Sequence, residues 1–247
     1  MDAQYAAAYP ALYKNHWWWR VREEILLSDI RRILADVAQP RILDVGCGAA
    51  LFFDALQQFG HVEGIDSDRA AVEQSGRWRS RVAVGELDDG YEAGAPFDLI
   101  LMLDVLEHVR SPDRLLRRAG EILTPGGRIL VTVPAFNCLW TAHDDLNHHV
   151  RRYTAGEMRR TIELAGLLTM ETRYMFQSLV MAKLLVRVRE ALTSRPARVP
   201  EVPPPVVNRA VKGWFRAEHF LAGWLPFGGS LLAVASLRAT QNGSLQP

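Results

Sequence analysis

Between residues 41 and 133 the chain alternates short β-branched or apolar runs with longer stretches of helical periodicity, and that alternation calls for a parallel sheet built from βαβ units. The strand-like runs are RILDVG, HVEGID, RVAVGE, FDLILML and RILVTV. Between them lie LFFDALQQF, DRAAVEQSG and SPDRLLRRAGEIL. The last of these opens on Ser111 as a cap with Pro112 at the first helical position, and Pro125, Gly126 and Gly127 stop it and turn the chain into the next strand. Downstream, Thr154 and Glu157 form a capping box for a helix running to about Ala165, closed by Gly166. LTMETRYMF then reads as a sixth strand. Beyond it the order changes: SLVMAKLLVRVREAL and PVVNRAVKGWFRAEHFLAGWL read as helices around the proline-rich connector RPARVPEVPPPVV, and SLLAVASL is a final strand.

At 247 residues the chain suits one large domain with embellishments, or one domain plus a small appendage. The reading divides it into an N-terminal helical cap (1–38), the α/β core (39–176), a helical insertion (177–225) and the final core strand (226–240). With 49% apolar and 23% charged residues the composition excludes disordered, fibrous and disulfide-dense classes. Lys plus Arg number 29 against 28 Asp plus Glu, and a net charge of +1 gives no field that would gather nucleic acid, so none is expected as a partner. Cys47 and Cys138 cannot form a framework, and no basic stretch, apolar run and cleavage site follow one another at the N-terminus. A cytoplasmic location with free thiols is the expectation. The uncharged run Phe220–Leu237 approaches the lower limit of about 17 residues for a membrane span. Pro226, Gly228 and Gly229 interrupt it, however, so a helix end, a turn and a buried strand are expected there instead.

The strand RILDVG runs directly into CGAALFFDAL, a turn of small residues opening a helix, and Asp66 ends the next strand. This is a nucleotide-type arrangement: Gly46 and Gly48 let the backbone approach a ligand, and an acid at the second strand's tip accepts hydrogen bonds from ribose hydroxyls. A dinucleotide fingerprint requires GxGxxG. Counted from Gly46 the sixth position is Leu51, which speaks against a nicotinamide-dependent oxidoreductase. The stretches LDVGCGAALFFDAL, GIDSD, FDLILMLDVLEHV and LTPGGRILVTVP, in that order, resemble the successive motifs of the class I S-adenosylmethionine-dependent methyltransferases. HDDLNHHVRRYT and the helix after it resemble, less tightly, the small-molecule branch related to ubiquinone-biosynthesis methyltransferases. The last seventy residues or so carry no assignable motif.

The resemblance implies an α/β, Rossmann-like fold: a seven-stranded, mostly parallel sheet with helices on both faces and the last strand antiparallel. It implies S-adenosyl-L-methionine as cofactor and S-adenosylhomocysteine as product. It also implies that Asp44 and the backbone around Gly46 and Gly48 hold the methionine portion, and that Asp66 takes the ribose hydroxyls with Ser67 beside it. Glu86 stands where the family usually has an aspartate for the adenine amino group, with Leu87 adjacent. Leu103 and Asp104 follow the fourth strand, where the family wraps the cofactor's amino group, and Arg22 in HWWWRVR stands where an arginine reaches the cofactor carboxylate. Ala50 replaces a third glycine, so its methyl group must be accommodated near the ligand. Read from the residues alone, a cap for DRAAVEQ is the alternative role of Asp66, compatible with the first. Cys47 reads as a small filler.

Methyl transfer from a sulfonium is an in-line displacement that mainly demands alignment, with a general base useful for a hydroxyl acceptor. After the fifth strand, PAFNCLWTAHDDLNHHVRRYT supplies His143, His148 and His149 with Asp144 and Asp145. His149, immediately before VRRY, matches the recurring histidine of the family the chain resembles and is the candidate base or acceptor-orienting group, a structural histidine pinning the loop being the alternative. No metal is expected, since the spacing matches no zinc signature. Glu107 and His108 belong either to the active site or to a locally satisfied interior, and Arg151 and Arg152 either clamp an acceptor anion or are salt-bridged. Leu179, Val180, Met181, Leu184, Leu185 and Val188 around Lys183, together with Trp214, Phe215, Phe220 and Trp224, form a lid for a lipophilic acceptor, a homodimer or peripheral bilayer surface, or simply a cover for the sheet. Trp17, Trp18 and Trp19 line the pocket or fill the core. The expected function is methyl transfer to oxygen of a small hydrophobic acceptor; the alternatives are a degenerate cofactor-binding or interaction domain and the oxidoreductase.

Overall fold

The computed structural model describes residues 3–193 and 199–238. Two helices open the chain, α1 (Ala3–Asn15) and α2 (Trp17–Ile33), the second started by His16, whose Nδ1 accepts a hydrogen bond of 3.1 Å from the Trp18 N–H. There follow β1 (Arg41–Val45), α3 (Phe53–Leu56), β2 (His61–Asp66), α4 (Arg69–Glu73), β3 (Val82–Val84), β4 (Phe97–Leu103), α5 (Pro112–Glu121) and β5 (Leu123–Pro134). The chain is completed by α6 (Ala142–Leu146), α7 (Ala155–Leu164), β6 (Leu167–Met175), α8 (Ser178–Thr193), α9 (Pro205–Ala222) and β7 (Ser230–Leu237).

The strands form one sheet of seven in the order β3-β2-β1-β4-β5-β7-β6. The first five run parallel, and β7 inserts antiparallel between β5 and β6. Strands buried on both faces read as continuous apolar runs, and the pleat sorts neighbours to opposite sides. Ile42, Leu99, Leu101 and Leu130 pack with Val21, Ile25, Leu26 and Ile30 of α2 on one face. Leu43, Ile100, Met102 and Ile129 pack with Leu116 of α5 and Met158 and Ile162 of α7 on the other. Within the segment expected to be an N-terminal cap, α2 is thus one of the layers that bury the sheet.

Several local expectations change. Ser111 does sit at the start of α5, with Pro112 at its first turn, but its side chain makes no capping hydrogen bond. That helix ends at Glu121, two residues before Leu123 pairs with Phe97, so the LTPGG turn belongs to a strand that bulges and then resumes at Arg128 opposite Leu99. The Thr154–Glu157 capping box is formed as read, with Glu157 Oε2 accepting from the Thr154 N–H at 2.7 Å. The uncharged run Phe220–Leu237 divides into the end of α9, a turn and β7. Among the described residues no helix is long and apolar enough to cross a membrane. Residues 194–198 of the expected insertion and 239–240 of the expected final segment lie outside the described residues.

Candidate active site

A cleft of about 1530 Å³ opens where β1, β2 and β4 end, and its lining includes Arg22, Asp44, Gly46, Gly48, Asp66, Ser67, Glu86, Leu87, Leu103, Asp104 and His149. Every residue expected to bind cofactor or to act as base therefore borders one space. After β1 the backbone turns through Gly46 at φ +73°, where a Cβ would sit 2.7 Å from Val105 Cγ2. At Gly48, φ +53°, a Cβ would meet nothing within 4 Å, which is the open cradle a ligand backed against main chain requires.

The Gly48 N–H donates to Asp66 Oδ2 at 2.7 Å, while Asp66 Oδ1 accepts from the Asp68 N–H at 2.8 Å. The carboxylate therefore locks the loop after β1 to the loop after β2. Asp66 is not the helix cap: Asp68 Oδ1 takes that role, accepting from the Ala70 and Ala71 N–H groups at 2.9 and 3.2 Å. Ala50 also departs from expectation. At φ +56° it is 2% exposed and its methyl packs into the core beneath α2, so no room near a ligand is consumed.

Two further carboxylates and an arginine complete this lobe. Arg22, reaching in from α2, places its guanidinium 2.9 Å from Asp104 Oδ2 and donates to Thr132 Oγ1 at 2.6 Å. Thr132 in turn donates to Asp104 Oδ1 at 3.2 Å. Asp104 sits at φ +59° immediately after β4, a left-handed conformation that aspartate tolerates better than most residues. The Arg22 guanidinium also lies 5.4 Å from the centre of the Trp18 ring. Burial, and then the Asp66 charge, push the Asp44 carboxyl up to about 7, with Arg22 opposing.

At the other end of the cleft the base candidate is held by a buried ion pair. Asp144, at the third position of α6, accepts from the Thr141 N–H at 2.9 Å as half of a capping box. Arg152 grips the same carboxylate with two hydrogen bonds of 2.8 Å, and both side chains are essentially inaccessible. His149 Nδ1 lies 2.8 Å from Asp144 Oδ1. Burial raises the Asp144 carboxyl, but the hydrogen bonds from His149 and Arg152 overcome it and hold the group well below the usual carboxylate range. An ionised carboxylate only accepts, so Nδ1 carries a hydrogen, and in the neutral ring Nε2 is the nitrogen that holds the lone pair. Nε2 is 4.0 Å from Glu107 Oε1. Glu107 is fully buried, neither of its carboxylate oxygens has a hydrogen-bond partner among the described residues, and burial followed by the Asp104 charge pushes its carboxyl well above the usual range. Glu107, His108 and His149 bring one donor atom each to within 4.8 Å of one another, a proximity the linear spacing did not disclose.

The remaining sequence candidates separate. His143 lines the cleft against Tyr5, ring centres 5.6 Å apart, whereas His148 is exposed outside it. Arg152 is consumed by Asp144, and Arg151 donates to the Arg110 carbonyl at 3.0 Å, so neither is an acceptor clamp. Trp18 and Trp19 border the cleft. Trp17 borders it as well and stacks on Phe215 of α9 at 4.6 Å. Burial, with Asp44 and Asp66 nearby, pushes the Cys47 thiol well up, which suits an inert filler. Three contributions were missed. Tyr5, Tyr9 and Tyr13 recur at every fourth residue of α1 and present one aromatic face to the cleft, a periodicity visible in the sequence. Asp144, noticed only as a neighbour of histidines, is the hub that holds both His149 and Arg152. Lys183 of α8 lines the cleft without a hydrogen bond or ion pair among the described residues, and burial, then Arg152, pushes it down to about 8.

A sequence model of the family described as methyltransferase domain matches residues 18–172. A ubiquinone biosynthesis O-methyltransferase of Azorhizobium caulinodans is 37% identical over 99 residues, 37% of this chain and 39% of that protein. One of Pseudomonas aeruginosa is 32% identical over 133 residues, 48% of this chain and 57% of that protein. The chain thus spans about half the length, or less, of these relatives. Among solved structures, an S-adenosylmethionine-dependent methyltransferase from Clostridium acetobutylicum superposes with a TM-score of 0.57 at 10% identity, covering 89% of this chain and 92% of that one, a likeness of fold.

Proposed function

The chain belongs to the methyltransferase-domain family, and from that premise we propose that it transfers a methyl group from S-adenosylmethionine to a small lipophilic acceptor, at oxygen. The observation that carries this reading is the joining, in one cleft, of a polar lobe shaped for an amino-acid-bearing nucleoside to a carboxylate-oriented imidazole. Arg22 offers its guanidinium to the ligand's carboxylate, and Asp104 and Asp44 offer carboxyl groups to its ammonium. Asp66, with Ser67, would take the ribose hydroxyls, and Glu86 and Leu87 would border the adenine. Gly46 and Gly48 would keep the main chain low beneath the methionine portion. Bound there, the cofactor supplies an electrophilic methyl group on a positively charged sulfur.

On the acceptor side His149 removes the proton of the attacking hydroxyl at Nε2, while Asp144 fixes the ring through Nδ1–H and stabilises the imidazolium that forms. The aromatic face of Tyr5, Tyr9, Trp18 and Trp19 excludes water and favours a ring-bearing, lipophilic acceptor. The O-methyltransferase names of the Azorhizobium and Pseudomonas relatives support oxygen as the target, as does a histidine poised to accept a proton. The test is calorimetric binding of S-adenosylmethionine together with turnover on a panel of lipophilic phenols and catechols. Tight binding with O-methylated product from at least one phenol supports the reading. Binding without methylated product from any member of the panel would instead favour a cofactor-binding domain without turnover.

A further inference from the structure

Leu179, Lys183, Arg187 and Glu190 recur along α8 at the three- and four-residue spacing of one helical face, and that face is turned toward the segment joining β5 to α7. The Arg187 guanidinium donates to the Cys138 carbonyl, and the Glu190 carboxylate accepts from the Ala142 N–H at 3.2 Å. These contacts pin the helix over the start of α6. Nearer the beginning of α8, Leu179 and Lys183 reach the cleft instead. Lys183 is half-buried there, and its charge acts on His143 and is acted on by Arg152, Asp144, Asp104 and Glu190. Each of those acids is already engaged. Asp144 is gripped by Arg152 and His149, Asp104 by Arg22 and Thr132, and Glu190 by the Ala142 N–H. Lys183 itself has no hydrogen bond or ion pair among the described residues. The other cations of the lining differ from it: Arg22 and Arg152 are paired, Arg118 lies 2.8 Å from Glu121, and Arg110 and Arg114 are exposed.

We propose that Lys183 is the cleft's receptor for a carboxylate; that the carboxylate belongs to the methyl acceptor, an aromatic hydroxy acid, rests further on the reading of the cleft as a methyltransferase site with His149 at the acceptor hydroxyl. An ammonium drawn partly out of water and left without an acceptor costs free energy that a bound anion gives back. The charge of that anion follows from the inventory of the lining. One unpaired ammonium answers one negative charge, whereas the nearby Asp144 and Asp104 would repel a dianion such as a phosphate monoester. A lysine ammonium is a compact point charge with rotatable donors, so it fixes where the carboxylate sits without demanding the two-pronged geometry of an arginine. The aromatic side chains of Tyr5, Tyr9, Trp18 and Trp19 on the same lining suit the ring between the two polar ends. Held at its hydroxyl by His149 and at its carboxylate by Lys183, an acceptor presents one chosen oxygen to the methyl group.

The test is calorimetric binding to the full chain saturated with S-adenosylhomocysteine, a measurement that needs no turnover. The probes are the para-hydroxy derivatives of benzoic, phenylacetic and phenylpropionic acid, each beside its uncharged carboxamide. At least one acid is expected to bind at least about tenfold more tightly than its amide, and Lys183→Met, which keeps the length of the stem, is expected to remove that difference. With S-adenosylmethionine bound, the same preference should appear in kcat/KM and be carried by KM. Without ligand the variant should unfold at the same temperature or a higher one, since it loses an unpaired charge. The proposal is overturned if no acid binds better than its amide, or if the preference survives in Lys183→Met. A lower unfolding temperature for the variant also overturns it, because the ammonium would then serve the fold, as does weakened S-adenosylhomocysteine binding, because Lys183 would then hold the cofactor. Methyl transfer to phenols without any preference for the acid removes this proposal and leaves the catalytic one. Lys183-dependent binding of an acid without methylated product does the reverse.

Discussion

Two carboxylates in the cleft are driven in opposite directions, and each leads to a measurable pH dependence. Asp44 is pushed up to about 7, so the ligand-free protein holds a proton there that the unfolded chain releases near the ordinary aspartate value of about 4. The folded state thus binds more protons across that window, and this group's contribution to stability is lost as pH rises from about 4 to about 7. A cationic ligand favours the ionised form. S-adenosylmethionine binding should therefore tighten between about pH 6 and pH 8 and release a proton, seen by calorimetry in buffers of different ionisation heat. Asp44→Asn should flatten that slope and weaken binding by about 10- to 100-fold, about 1.4 to 2.8 kcal/mol. Asp144 carries the opposite sign: its carboxyl is held low by His149 and Arg152, so its contribution is present above about pH 4 and is lost on acidification below it. Asp144→Asn strands the buried Arg152 and should cost roughly 3–5 kcal/mol in urea unfolding. His149→Ala removes the base and one partner of Asp144, which Arg152 and the Thr141 N–H still hold. It should lower kcat by about 10²- to 10⁴-fold while leaving the cofactor Kd unchanged, and an unaltered kcat would relegate His149 to a prop for the loop after β5.

Among the elements, the least anticipated partnership is that of α9 with α2, separated by nearly the whole chain. Phe215 is 6% exposed, stacks on Trp17 and meets Phe176 edge-on at 5.7 Å. The Trp17 N–H donates to Asn208 Oδ1 at 2.9 Å. Phe215→Ala should therefore cost roughly 3 kcal/mol in urea unfolding, the scale of an emptied aromatic site. Because α2 also carries Arg22, weaker cofactor binding should accompany it; full stability would mean that α9 is held elsewhere. The βαβ rhythm of residues 41–133 was legible because parallel strands buried on both faces must be apolar throughout, and the gathering of Asp44, Gly46, Asp66 and Asp104 around one cleft was legible because these residues stand at or just past strand ends in a fixed order. The Thr154–Glu157 box was equally plain, being a purely local bargain between side chain and backbone. What escaped was non-local. Nothing in HDDLNHHVRRYT announces that Asp144 ties His149 to Arg152, because the pairing needs α6 and the following loop to fold back on one carboxylate. Ser111 shows the converse: a good cap residue in the right place whose hydroxyl is left unused.

At the scale of the molecule, the position of the cleft follows from the strand order. From β1 the chain passes outward to β2 and β3 and then returns to place β4 on the other side of β1, so the loops after β1 and β4 diverge and leave a crevice at the strands' carboxyl ends. Gly46 and Asp104 stand on those two diverging loops, and Arg22 from α2 bridges across to Asp104 and Thr132. A ligand filling the crevice therefore couples three parts of the chain, the β1–β2 half, the β4–β5 half and the N-terminal helices, and should stabilise them together. At about 100 times its dissociation constant, S-adenosylhomocysteine should add about 2.7 kcal/mol, which for a chain of this size is a rise in unfolding temperature of roughly 5–10 °C. NADH should give no shift, since Leu51 occupies the position where a dinucleotide fingerprint needs glycine. Arg22→Met should abolish most of the S-adenosylhomocysteine shift because it removes the bridge and the carboxylate's partner at once. A full shift in that variant would mean that the cofactor's amino-acid end lies elsewhere in the cleft, and a shift with NADH would return the fold to the oxidoreductases.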